Sequence, residues 1–200
     1  MILIALAALA ICSQEPAPVQ PTPAVAVFRS GTEGYKTFRI PSIVALPENG
    51  LLAFAEGRKN GSSDTGDIDL VMKRSDDGGA SWSPLTVLWD DGENVCGNPC
   101  VVRDEATGTL HLLATHNLGS DHESKIIAGT SKGTRTVWSL TSKDAGHTWT
   151  EPRDITATTK LPSWTWYATG PGMGIQLQQG PDKGRLVIPC DHIERDTKKY

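Results

Sequence analysis

At 200 residues the chain is long enough for one sizeable domain with its own core. A formal charge of −4 and a pI near 5.7 exclude the basic surface that electrostatic nucleic-acid binding needs, so an anionic ligand must be met by a local cationic pocket. Glycine and proline, 20 and 13 residues spread along the chain, predict many short strands joined by turns.

Taken in order, Met1 to Ile11 is an apolar run, MILIALAALAI, too short to span a bilayer and read as a targeting signal. Cys12 follows as Leu9-Ala10-Ile11-Cys12, which looks like a bacterial lipoprotein signal, although Ile11 stands where a small residue is usual. Ordinary signal-peptidase cleavage is the alternative. Residues 13–26 are Pro-rich and polar and read as an extended linker ahead of a domain over 27–200. The expectation is export: a periplasmic, secreted or outer-surface lipoprotein.

Beyond the linker, short apolar runs alternate with turns. Strands are expected over Ser42–Leu46, Leu51–Glu56, Ile68–Arg74 and Leu85–Trp89, which is the content of one propeller blade. A second set is Cys100–Arg103, Thr109–His116, either Ile126–Thr130 or Thr136–Leu140, and Thr150–Ile155. A third begins with Gly174–Gln178 and Arg185–Cys190. No amphipathic helical period stands out.

Two copies of Ser-x-Asp-x-Gly-x-x-Trp, Ser75 to Trp82 and Ser142 to Trp149, start 67 residues apart and mark a repeated unit. Each part has a local use: Ser and Asp accept backbone N–H bonds, Gly permits positive φ, and Trp covers the apolar side. They fold hairpins and do no chemistry. The reading is an all-β, partial six-bladed propeller with about two and a half blades. Since so few blades cannot close, a fragment of a longer protein is expected.

Cys96, Cys100 and Cys190 are expected as small buried thiols. A Cys96–Cys100 bridge is the minor alternative, since residues four apart on a strand lie ~13 Å apart. No second Cys/His pair at ligand spacing supports zinc, and neither a metal nor a cofactor is assigned.

The chemistry-bearing residues gather at one hairpin. Arg39 starts its first strand beside Pro41, Arg58 ends its second in Glu56-Gly57-Arg58, and Asp64 follows in a polar loop. Guanidinium groups bind a carboxylate in bidentate fashion, and a carboxylic acid protonates a glycosidic oxygen, so the set suits an anionic sugar. Asp67 and Asp69 share a strand face with Val71 and are expected to be solvated or turn-bonding; D-x-x-D-x-D lacks the order of an EF-hand.

FRIPSIV, AEGR, the SSDTGDIDLVMKRS stretch and the two Asp boxes together resemble the bacterial exo-α-sialidases of the Asp-box, or BNR-repeat, type. The resemblance runs from about Phe28 to Cys190. It implies a six-bladed propeller acting with retention on sialylated glycoproteins, glycolipids or oligosaccharides. By position, Arg39 matches an arginine that grips the substrate carboxylate, Arg58 the arginine near O4, and Asp64 the general acid/base. Asn98 falls where the family often has Asp beside the N-acyl and O4 pocket. The run from Trp166 to Ile175 resembles the segment passing the N-acetyl pocket, with Trp166 as the candidate lining residue. The family's tyrosine nucleophile, its partner Glu and two further arginines lie beyond residue 200, and Tyr35, Tyr167, Tyr200, Arg185 and Arg195 match none of them. The 200-residue chain alone is therefore expected to be inactive, to bind no nucleic acid, and to meet a membrane only through Cys12. The alternative is a non-catalytic propeller, a lectin or surface assembly module that keeps its Asp boxes for folding.

Overall fold

The computed structural model describes residues 24–195; the segment 1–12 expected as a signal, Cys12 within it, most of the expected linker and Lys198-Lys199-Tyr200 lie outside them. Strands β1 (Thr37–Ala45), β2 (Leu51–Arg58), β3 (Ile68–Ser75) and β4 (Thr86–Trp89) pair antiparallel in sequence order as a first blade. A second blade repeats the plan with β5 (Val95–Arg103), β6 (Leu110–Asn117), β7 (Thr136–Ser142) and β8 (Arg153–Asp154), and a short helix α1 (Glu123–Ala128) interrupts the β6–β7 connection. One parallel bridge, Ile68 to Val95, joins the blades. After α2 (Thr156–Thr159) come β9 (Trp164–Thr169), β10 (Ile175–Gln176), β11 (Leu186–Val187) and β12 (Cys190–Glu194), in the antiparallel pairs β9–β12 and β10–β11. The described residues thus form two blades and pieces of a third, without closing a propeller.

Between the blades lie Leu52, Phe54, Leu70, Val101, Leu112 and Leu140, each buried on the inward side of its strand. Each such side chain contributes about 1.5–3 kcal/mol of burial.

Three elements depart from the sequence reading. Ile126–Thr130, weighed as a strand, lies in α1 and its cap: Ile126 alone is buried, packed on Trp166 and Ile193, and Gly129 closes the turn at φ +68°. The third strand of the second blade is the other segment, β7. Strand β9 had no alternation to reveal it, because both its faces are covered. Strand β5 starts five residues before Cys100, through Gly97 and Pro99, which mask a strand.

Cys96 and Cys100 are buried free thiols, but Cys190 is exposed on β12, against the expectation that all three are buried. Burial pushes the Cys100 thiol up to about 11 and the Cys96 thiol further.

The two Asp boxes share their Ser and Asp bonds and differ at the tryptophan, where Trp82 Nε1 donates to Gly79 O at 3.1 Å and Trp149 Nε1 has no partner among the described residues. Asp77 accepts from Ser75 Oγ (2.7 Å), Ser81 N (2.9 Å) and Ser81 Oγ (2.5 Å); Asp144 accepts from Ser142 Oγ (2.8 Å), Thr148 N (2.9 Å) and Thr148 Oγ1 (2.5 Å). Ser75 Oγ and Ser142 Oγ accept from Gly79 N and Gly146 N, whose φ angles of +91° and +86° require glycine. Trp149 then reaches the first blade, edge-on to Phe54 at 5.7 Å. The bonds from Ser81 hold the Asp77 carboxyl down at about 2, and those from Thr148 hold Asp144 lower still. A depressed carboxyl contributes stability above its unfolded value, and that contribution is lost as pH falls through the folded one. Thermal melts should therefore drop between about pH 4 and pH 2, and less steeply in an Asp77→Asn, Asp144→Asn double variant. Equal slopes would show that the boxes carry no such linkage.

Candidate active site

The site is built where inner strands break register. Pairing of β1 with β2 slips between Arg39 and Ser42, and pairing of β5 with β6 slips between Gly97 and Cys100. In each gap a residue with a side chain sits at φ +52° just before a proline, Ile40 before Pro41 and Asn98 before Pro99. Gly170, at φ +76° before Pro171, follows β9 in the same way. Bulges bend a strand and re-aim its side chains. A β-branched residue such as Ile40 at positive φ stores about 1–3 kcal/mol that the surrounding sheet must offset.

The bends converge on a cleft of about 260 Å³ whose walls include Arg39, Glu56, Arg58, Asp64, Asn98 and Arg135. Asp64 Oδ1 lies 2.9 Å from Arg39 Nη1 and 2.7 Å from Arg58 Nη2. The two arginines differ in burial: the side chain of Arg39 is 44% exposed and that of Arg58 3%. Arg58 works as an anchor. Its Nη1 donates to the carbonyls of Ser62 (2.7 Å) and Ser63 (2.9 Å), gripping the loop that presents Asp64, while Nε and Nη2 both donate to Glu56 Oε2. Glu56 Oε1 accepts from Asn98 N at 2.9 Å, tying the first blade to the second. Any Cβ at residue 97 would collide with that carboxylate, so Gly97 is required.

Asn98 Oδ1 accepts from Arg135 Nη2 and, at 3.2 Å, from Thr115 Oγ1. Arg135 itself is buried: Nη1 donates to Asn117 Oδ1 at 2.6 Å, the guanidinium lies 4.2 Å from the Trp166 ring centroid, and Nε has no partner among the described residues. Burial pulls its proton affinity down to about 10, which still leaves it charged at neutral pH, with Glu56 as the main opposing influence. Lys160 fixes this corner by donating to Arg135 O (2.7 Å), Thr134 Oγ1 (2.7 Å) and Thr165 O (2.9 Å). Trp166 lines the cleft; Trp164 stacks on His192 at 3.7 Å and faces a different hollow.

Asp69 is not solvated as its strand face suggested. It is buried, accepts from Tyr35 O–H at 2.6 Å, and pairs with Lys59 Nζ at 3.0 Å. Asp67 and Asp90 converge on the same ammonium at 3.0 and 3.2 Å, so these three carboxylates already hold a cation. The cluster closes the base of the Asp64 loop, where Lys59 N also donates to Asp67 O.

Residues 49–200 match the BNR repeat-like domain. The chain belongs to the BNR repeat-like family. Among curated relatives, it is 37% identical over 174 residues to an exo-alpha-sialidase of Aspergillus fumigatus, a match covering 78% of this chain and 42% of that one. It is 31% identical to a sialidase of Bacteroides fragilis, over 85% of this chain and 33% of the relative. Among solved structures, a Hadza microbial sialidase, Hz136, aligns at TM-score 0.73 and 30% identity over 84% of this chain and 34% of that one. A leech intramolecular trans-sialidase aligns at TM-score 0.71 and 16% identity over 87% of this chain and 43% of that one, which shows the fold alone. The chain spans about two fifths of the length of the first curated relatives it matches.

For this BNR-repeat chain the structure brings Arg39, Arg58, Asp64, Asn98 and Trp166 to one cleft. It adds Glu56, Arg135 and Asp191, which sequence reasoning did not single out. Glu56 was in view beside Arg58, and a carboxylate alternating with an arginine on one strand face was its signal. Arg135 had none, because the groups that hold it come from β5, β6 and β9.

Proposed function

We propose that these blades form the acid/base half of a retaining exo-α-sialidase. The observation that carries the reading is the ion pair of Asp64 with Arg39 and Arg58 at the mouth of a cationic cleft. Arg39, half-exposed, is the guanidinium that an incoming substrate carboxylate can reach. Asp64 is paired with both Arg39 and Arg58, so before it acts as an acid the Arg39 contact must open and the carboxylate must take up a proton from solvent, which also weakens its pairing with Arg58. The incoming carboxylate competes for the same guanidinium and supplies that opening. Asp64 then protonates the glycosidic oxygen and, in the second step, activates water. Arg58 stays behind to hold the loop, and Arg135 adds positive potential from below while fixing the Asn98 amide.

The cleft as described contains no tyrosine. Tyr35 is committed to Asp69, and burial raises both its phenol and that of Tyr167, so neither suits a nucleophile. Retention through a tyrosine therefore calls on residues outside the described ones. The apolar run at 1–11 and the Pro-rich linker fit an exported enzyme that meets sialylated glycans outside the cytoplasm. The test is turnover of a fluorogenic aryl sialoside. The 200-residue chain should give none, and the full-length reading frame should cleave it; a full-length product inert on every sialoside would end the proposal.

A further inference from the structure

Cys100 on β5 and Cys190 on β12 stand on either side of Gly170. A Cβ at Gly170 would lie 3.6 Å from Cys100 Cβ, so the backbone there packs directly on that residue. On the other side, Cys190 opens β12 opposite Thr169, and Gly170 N donates to Pro189 O at 2.9 Å. Cross-strand partners share a face, and Thr169 Oγ1 donates to Asn98 O at 2.5 Å, so the face that carries Cys190 is turned toward β5. Glycine places no side chain between the two sulfurs. We propose that Cys100 and Cys190 form a reversible disulfide that staples the third-blade strands to the second blade.

Cys190 is exposed and loosely held, its Sγ donating to Ile188 O at 3.7 Å. Burial raises the Cys190 thiol, with the Tyr167 phenol and the Gly170 N–H close enough to oppose that rise, and Cys190 in turn is the second influence, after burial, on the Cys100 thiol. Cys96 sits apart, in the core cluster with Phe54 and Leu112. Strand β12 pairs on one side only among the described residues, so it can shift to bring the two Cα atoms within the about 4.4–6.8 Å that a bridge needs. The step is exchange with a low-molecular-weight disulfide. The Cys190 thiolate attacks one of its sulfurs, forming a mixed disulfide and releasing one thiol; the Cys100 thiolate then attacks the Cys190 sulfur and releases the second. Two protein thiols are oxidised, the small disulfide is reduced to two thiols, and the two protons end on these. Export, as proposed above, would bring the chain to a compartment where such disulfides persist.

The experiment equilibrates the full-length protein with mixtures of glutathione disulfide and glutathione, alkylates the remaining thiols, and maps peptides without reduction, with fragmentation assigning each sulfur. Oxidising mixtures should link Cys100 to Cys190, and reducing mixtures should return both as alkylated thiols. Because the bridge closes a long loop, the oxidised protein should melt about 5 °C or more above the reduced one. Cys190→Ser, at an exposed position, should abolish the link and shrink the melting difference. Alkylated thiols at both positions in every mixture, Cys190 recovered only as its glutathione adduct, or a link to Cys96 instead overturns the disulfide. A bridge that leaves the melting temperature unchanged overturns the staple. None of these readouts depends on turnover, so they are separate from the test of the sialidase reading.

Discussion

Asp64→Asn in the full-length protein is expected to lower kcat/KM on an unactivated sialoside by ~10²–10⁴-fold, the range for removing a general acid. An aryl sialoside with a good leaving group should lose much less, because its oxygen needs little protonation. The side chain keeps its size and stays within reach of Arg39 and Arg58, so the difference between the substrates isolates the proton. Equal losses on both would remove Asp64 from the acid role and leave it as a loop carboxylate that orders two arginines.

The largest stability effect should come from the other carboxylate on Arg58. Glu56→Ala takes the buried carboxylate from a guanidinium that is 3% exposed, leaving it the exposed Asp64 and the Ser62 and Ser63 carbonyls, and takes the acceptor from Asn98 N–H. Breaking a buried ion pair costs about 3–5 kcal/mol, the lower end applying here because Asp64 remains, and in a domain of this size that lowers the melting temperature by roughly 10 °C. Asp64→Ala removes a carboxylate that is 56% exposed from the same arginine, where water replaces it, and should cost about 1 kcal/mol or less. Urea denaturation of the two variants side by side checks the contrast. If both lose the same amount, the Glu56–Arg58–Asn98 bridge does not join the blades as the geometry indicates.

Both expectations trace back to where information sits in the chain. Runs such as Leu51 to Glu56 and Ile68 to Arg74 announce themselves as short, largely apolar runs bounded by turn residues, and the Asp boxes do so because each is a closed local circuit of bonds within eight residues. The Phe38-Arg39-Ile40-Pro41 and Glu56-Gly57-Arg58 segments were legible for a similar reason, being opposed across one hairpin with Arg39 facing Glu56. Two further features were written in the chain but silent. Ile40-Pro41, Asn98-Pro99 and Gly170-Pro171 recur as ordinary dipeptides, and only coordinates reveal the positive φ that makes a bulge of the first two and ends β9 at the third. Ile126 and Ile127 read as strand because β-branched pairs favour it, yet one buried anchor and a glycine cap make a helix there.

Local pattern, acting over a few residues, announced most of the strands and the repeat and pointed to Arg39, Arg58 and Asp64 as candidates. Tertiary structure alone decided that Asp69 is buried beneath Tyr35 and Lys59, that Glu56 spans two blades, and that Arg135 rests on Trp166 beside Asn98. The partners in those contacts are separated by 10 to 42 positions. A charge's cost depends on what surrounds it in space, and no short window of sequence contains that surrounding.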